Sequence, residues 1–203
     1  MTEKFTETIQ NLQSDFGVRL EKSHLEKLSE YYESVQKHNP LLHLVAPTSE
    51  EEFAVRHILE SLTLLEFLPR GAKFADVGTG AGLPSIPCLI AREDLRGVLI
   101  ESKLKKAAFL REVLSKCGLE ERATLINRQF EEISNSEVAY VTCRALDKFT
   151  QKLPKLLKWS KNAELLFFGG PALRAELDKN RVKFNEKLMP FSEQRYLFAG
   201  RQI

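Results

Sequence analysis

Three glycines and one acidic residue carry the first chemical signal in this chain. The stretch Phe74-Ala75-Asp76-Val77-Gly78-Thr79-Gly80-Ala81-Gly82-Leu83-Pro84 reads as a strand ending at Val77, a glycine-rich loop, and a helix whose first turn suits Pro84. Glycines let the backbone turn tightly and let a ligand approach with no Cβ in the way. A loop at the carboxyl end of the first strand is where open α/β sheets bind ligands. Twenty-five residues after Asp76, Glu101 closes the apolar run Val98-Leu99-Ile100. A carboxylate at the tip of a second strand can accept hydrogen bonds from both hydroxyls of a ribose. Taken alone, Glu101 would also suit the positive end of the next helix. Loop and acid together favour a nucleoside.

Spacing narrows the ligand. A dinucleotide fingerprint would put its third glycine where Leu83 stands, and a P-loop would also need a glycine there, followed by lysine. The pattern G-x-G-x-G after an apolar strand resembles the S-adenosylmethionine loop of Rossmann-like methyltransferases. That ligand has a carboxylate, a sulfonium and a ribose, and no pyrophosphate to cradle. Glu101 by itself fits a nicotinamide dinucleotide as well. After the third strand comes Asn127-Arg128-Gln129-Phe130-Glu131-Glu132. Phe130 could pack on an adenine face while Glu131 or main-chain groups reach its edge. A core phenylalanine and a helix-start acid fit the same residues.

These residues need a scaffold. From residue 72, short apolar runs alternate with helical stretches. Strands are expected at Ala72–Val77, Gly97–Glu101, Ala123–Asn127, Val138–Cys143, Glu164–Phe168 and Tyr196–Ala199, with a weaker one near Val182–Leu188. Helices are expected at Leu83–Arg92, Lys103–Cys117, Lys148–Trp159 and Ala172–Arg181. Such alternation predicts a mostly parallel, doubly wound α/β sheet with helices on both faces. Residues 1–70 read as a helical extension on a core of residues 71–203. Phe5, Ile9, Leu12 and Phe16 make one helical face, with Gly17 as its stop. Ser23 with Glu26 reads as a capping box, and Pro40 as the end of that helix. Thr48 with Glu51, or Ser49 with Glu52, opens a third helix that stops near Pro69.

The chain has 203 residues, 43% hydrophobic and 29% charged, ordinary values for a globular protein. No uncharged apolar window approaches ~18 residues, so no membrane span is expected. The start MTEKFTETIQ has no basic region before an apolar run, so no secretory signal is expected. Cys88, Cys117 and Cys143 lack a CxxC spacing and suit thiols in a reducing cytoplasm. His24, His38, His43 and His57 show no metal-ligand spacing, and no metal is expected. Residues 1–60 carry 6 basic and 11 acidic side chains, while residues 144–187 carry 11 and 5. Lys103, Lys105, Lys106 and Arg111 fall on one predicted helix, and Lys148, Lys152, Lys155 and Lys158 stripe another. Such faces could track the phosphates of a nucleic acid, or simply be solvated.

Four segments in one order, Arg56-His57-Ile58-Leu59-Glu60-Ser61, the glycine loop with its Leu83-Pro84 tail, Phe109-Leu110-Arg111 and Cys143-Arg144-Ala145, resemble the ribosomal RNA small subunit methyltransferase G family, also called glucose-inhibited division protein B. The resemblance runs from the Ser23 helix to the Tyr196 strand. It implies a Rossmann-like fold, S-adenosylmethionine as methyl donor with S-adenosylhomocysteine as product, and methylation of N7 of one guanine in the 530 loop of 16S ribosomal RNA. The RNA or the small ribosomal subunit is then the partner, and the protein a monomer. Asp76, Gly78, Gly80, Gly82, Leu83, Glu101, Phe130 and Glu131 become candidate cofactor residues. Arg144 is the candidate for both cofactor contact and catalysis. Arg56, His57, Lys105, Lys106, Lys148 and Lys152 become candidate RNA contacts. Departures are Ala81-Gly82 for Pro-Gly, Ser85 for glycine, His43-Leu44-Val45 for Asn-Leu-Thr, Glu101 for aspartate, and no lysine in Phe167-Phe168-Gly169-Gly170. A methyltransferase of another substrate, or an RNA-binding assembly factor that kept the fold, would share these features. A dehydrogenase is disfavoured by the misplaced third glycine.

Overall fold

Side chains along a strand point alternately to opposite faces, and this parity divides the molecule. The computed structural model describes residues 2–134, 138–145 and 149–202. In β1 (Lys73–Val77), Phe74 joins the core on one face while Ala75 and Val77 join the core on the other. β2 (Arg96–Ile100), β3 (Ala123–Ile126), β4 (Tyr140–Arg144) and β5 (Glu164–Gly169) follow the same logic. These five strands are parallel, in the order β3-β2-β1-β4-β5. Outside β5 lie β7 (Tyr196–Gln202) and, at the edge, β6 (Val182–Leu188), each antiparallel to its neighbour. A short turn joins β6 to β7, and no crossover helix fits in it.

Strand order reverses between β1 and β4, which opens a crevice at their carboxyl ends. Register then sets the site. Val77 pairs with Ile100, so the glycine loop after β1 and Glu101 after β2 emerge side by side. α5 (Ser85–Ala91) and α6 (Leu104–Lys116) pack on the Phe74 face. α7 (Phe149–Trp159) and α8 (Pro171–Lys179) pack on the Val77 face.

The N-terminal third is helical and shares the core of the Phe74 face. α1 (Glu3–Leu12) passes through a 3-10 turn to Gly17, which takes the left-handed conformation. Phe5 stacks on Tyr32 at 4.6 Å, and Tyr32 meets Phe53 edge-on at 4.8 Å. α2 (Lys22–Leu42) departs from expectation at both ends. Its cap is Glu21, whose N–H donates to His24 Nδ1 (3.2 Å), rather than Ser23. Pro40 lies inside the last turn, and the helix stops two residues later as His43 turns left-handed and donates to the Asn39 carbonyl (2.9 Å). Near a helix end Pro40 removes one hydrogen bond at most, so the helix survives it.

Ser49, the second of the two caps considered, accepts from the Glu52 N–H at 3.1 Å. The segment it opens is not a uniform helix. α3 (Glu50–Phe53) widens into a π-helical stretch, Ala54–Leu59, then continues as α4 (Glu60–Leu62) and a 3-10 turn to Phe67. Arg56 and His57 sit in the π stretch. Lys148, the expected start of the seventh helix, lies outside the described residues.

Candidate functional site

A cavity of about 350 Å³ opens at the carboxyl ends of β1, β2 and β4. Its floor is the glycine loop. Gly78 and Gly80 have φ of 71° and 59°, values at which a side chain would be strained. The N–H groups of Gly78 and Thr79 both donate to the Ile100 carbonyl, at 2.9 and 3.2 Å, which pins the loop to the tip of β2. Glu101 faces the same cavity. Its Oε2 accepts from the Gly80 N–H (3.0 Å) and its Oε1 from the Lys103 N–H (2.8 Å). The carboxylate is thus fixed by two backbone donors, and each oxygen retains a lone pair for another partner. Leu83 also lines the cavity.

Two residues, one at the end of β1 and one in the loop, work from behind. Asp76 does not reach the cavity. Its carboxylate is fully buried and accepts from the hydroxyls of Thr79 (2.7 Å) and Ser85. Burial raises its pKa to about 7 against those hydrogen bonds. Gly82 faces inward as well, where a Cβ would lie 2.3 Å from Ile86 Cδ1. At Gly80, by contrast, a Cβ would find only the Gly78 carbonyl within 4 Å, at 3.7 Å.

Arg144, from the tip of β4, forms another wall. It donates to the Arg56 carbonyl (2.6 Å), to Glu60 Oε2 (3.1 Å) and to Ser61 Oγ (3.4 Å), and its guanidinium lies 5.5 Å over the Phe168 ring. The Arg56 carbonyl that it reaches belongs to the π stretch, and such stretches recur at functional sites. Burial lowers the Arg144 pKa, and Glu60 opposes the shift. His57 lines the cavity from the same π stretch, 4.8 Å from the Phe53 ring. Burial, then Arg144, Arg56 and Arg195, lower its pKa to about 3, so the ring is neutral. Neither ring nitrogen has a hydrogen-bond partner among the described residues.

The remaining expected residues divide. Lys106 and Lys152 line the cavity, with Lys106 Nζ 3.3 Å from the His43 carbonyl. Lys105 is exposed on α6, away from the cavity. Phe130 is not poised for adenine stacking. Its ring is 3% exposed and packs edge-on to Trp159 at 6.0 Å, in the core of the Val77 face. Glu131 pairs with Lys155 at 3.9 Å on the outer surface. Arg56 pairs with Glu52 and lines a second cavity of about 450 Å³. That cavity shares Arg144 and Ala145 with the first and adds Glu60, Phe168, Gly170, Arg195 and Tyr196.

Sequence reasoning missed several contributors. Leu44, Val45 and Ala46 line the first cavity because the Asn39 side chain accepts from the N–H groups of Leu44 (2.8 Å) and Val45 (3.0 Å) as α2 ends. Tyr31 donates its hydroxyl to the Ala81 carbonyl at 3.0 Å, so α2 also supports the glycine loop. Among the described residues no cluster of His, Cys, Asp and Glu could hold a metal, and no helix is long and apolar enough to cross a membrane.

Known proteins match both the fold and the sequence. Solved structures superimpose at low identity. The pyocyanin biosynthetic protein PhzM gives a TM-score of 0.61 at 17% identity, over 75% of this chain and 56% of that one. A tRNA methyltransferase of B. subtilis, TrmK, gives 0.53 at 18%, over 72% and 67%. A ribosomal RNA small subunit methyltransferase G of Desulfotalea psychrophila is 33% identical over 191 residues, 87% of this chain and 88% of that protein. The same enzyme of Mycolicibacterium vanbaalenii is 33% identical over 176 residues, 86% and 74% respectively. The profile of the GidB family, described as rRNA small subunit methyltransferase G, matches residues 24–197. With that span and relatives matched over most of their length, the chain belongs to the rRNA small subunit methyltransferase G family.

Proposed function

We propose that this protein transfers the methyl group of S-adenosylmethionine to N7 of a guanine in 16S ribosomal RNA. The observation that carries the reading is the Glu101 carboxylate, clamped by the Gly80 and Lys103 amides beside a loop whose backbone lies open. Those residues fit the cofactor. Glu101 keeps lone pairs for the two ribose hydroxyls, and the open side of Gly80 is space that any side chain would fill. When bound, the cofactor supplies an electrophilic methyl group on a sulfonium.

The protein's own task is then orientation. Guanine N7 carries a lone pair and no proton, so no residue must act as a base. Arg144 is a donor-only planar fork. It suits guanine O6 or a phosphate and leaves N7 free. Glu60 offsets its charge, and His57 is neutral, so these two wall residues add little positive charge against a sulfonium. Positioning of this kind can supply much of a transfer rate without acid–base catalysis. The second cavity, across Arg144 from the first, is the side from which the base would enter. Lys106 and Lys152 stand at the first cavity for phosphate contact.

The test is tritium transfer from labelled S-adenosylmethionine to small ribosomal subunits lacking the modification, with mass mapping of methylguanosine. Label in one guanine of 16S RNA is expected. Subunit binding without transfer would replace this reading with an assembly factor, and transfer only to protein or small molecules would overturn the substrate. Arg144→Ala is expected to keep the fold and lose most transfer.

A further inference from the structure

We propose that Glu60 is a positioning residue for methyl transfer, its carboxylate fixing the guanidinium groups of Arg144 and Arg195 on the wall between the two cavities. This rests on the function proposed above. Glu60 opens α4, directly after the π stretch, and its side chain is only 2% exposed. Oε2 accepts from Arg144 at 3.1 Å, and Oε1 accepts from Arg195 Nε at 2.7 Å. These partners lie 84 and 135 residues away in the chain, on β4 and just before β7. One carboxylate therefore ties the N-terminal helices to two strand ends of the sheet.

Electrostatics make this carboxylate necessary. Arg144, Arg195 and Arg56 all border the second cavity. Arg56 has Glu52, but Arg144 and Arg195 share Glu60, and without its carboxylate between them their like charges would repel. Glu60 holds each by a different oxygen, so the angle between them is set as well as their distance. Arg144 alone reaches the first cavity, and Glu60 does not line it. Glu60 thus acts on the acceptor side, through the arginines, and leaves the residues around Glu101 untouched.

Glu60→Gln keeps the side-chain volume and removes the charge. In the full-length protein, turnover into small subunits is expected to fall about 30-fold or more, as when one member of a buried charge pair is lost. The KM for subunits should rise, while calorimetric affinity for S-adenosylhomocysteine stays within about twofold of wild type. Glu60→Asp, which keeps the charge, should recover much of the turnover. Wild-type turnover in a folded Glu60→Gln protein overturns the proposal. So does a loss of turnover matched by an equal loss of S-adenosylhomocysteine affinity, the mark of a merely structural residue.

Should Glu60→Gln fail to fold, Arg195→Met tests the same link from a side chain that is 37% exposed. Several-fold slower transfer with unchanged S-adenosylhomocysteine affinity is expected, and wild-type transfer overturns the proposal. Nitrogen-15 NMR gives a readout independent of activity. The Arg195 Nε–H should exchange slowly with solvent in the wild type and quickly in Glu60→Gln or, failing that, Glu60→Ser. Fast exchange in the wild type overturns the clamp. Unmethylated subunits with the wild-type protein would refute the proposed function instead, and the exchange measurement would still decide the role of Glu60.

Discussion

Gly80 and Gly82 both have positive φ, yet replacing them should fail in different ways. Gly80→Val adds bulk on the open side of the loop at a strained φ of 59°, so besides some loss of stability at least tenfold weaker S-adenosylhomocysteine binding is expected by calorimetry, a cost of about 1.4 kcal/mol or more. Gly82→Ala forces Ile86 to shift in the core at a strained φ of 93°, so the melting temperature should fall, by an amount equivalent to about 1–3 kcal/mol. Spacing made both glycines and Glu101 legible in the sequence. It did not reveal that Asp76 points away from the cavity, because strand parity assigns a side only once the packed faces are known. Asp76 and His57 also give the protein opposing pH responses. Folding lowers the His57 pKa from 6.5 to about 3, so the unfolded chain binds more protons, and the stability from its neutral burial is complete above 6.5 and lost as pH falls toward 3. Folding raises the Asp76 pKa from 3.8 to about 7, so its contribution is complete below 3.8 and lost as pH rises to 7. Melting curves from pH 4 to 8 should show His57→Phe flattening the acid limb. Asp76→Asn should gain most, relative to wild type, at pH 8.

At the scale of elements, α2 does more than cover the sheet. Its Tyr31 hydroxyl is the support under Ala81, and its end presents Leu44 and Val45 to the cavity. Tyr31→Phe leaves a buried carbonyl without its donor, a loss of about 1–3 kcal/mol. A lower melting temperature together with weaker S-adenosylhomocysteine binding is expected, whereas unchanged binding would reduce Tyr31 to packing. The strands and their surrounding helices were readable from period alone, because apolar alternation and apolar stripes follow directly from burial. The π stretch was not. Its residues, Ala54 to Leu59, keep the apolar spacing of an ordinary helix, and only the tertiary bonds to Arg144 and the widened turn distinguish it. Pro40 misled for a related reason, since proline disrupts a helix interior far more than its last turn. The Phe130 ring sits in the core because the short 3-10 turn Phe130–Glu132 directs it at Trp159, a detail no local pattern encodes.

Across the whole molecule, the contrast between an acidic first third and a basic last third is bridged in part by ion pairs. Lys187 pairs with Glu66, Arg195 with Glu60, Arg174 with Glu186 and Arg201 with Glu164. The first two pairs join the last third to the first, while the other two lie within the last third and leave its basic excess unchanged. Lys103, Lys106 and Lys152 are gathered instead at one opening, from two different helical regions. If this opening receives RNA, Lys103→Ala and Lys152→Ala should each flatten the plot of log affinity against log salt by about one unit, a sign of one phosphate contact apiece. A slope equal to wild type for both would move the RNA path elsewhere. The two cavities meet at Arg144 and Ala145, and that adjacency has a practical outcome. A bisubstrate inhibitor, joining an adenosine head to a purine through a short tether past this arginine, would occupy both chambers at once and bind far more tightly than either half alone.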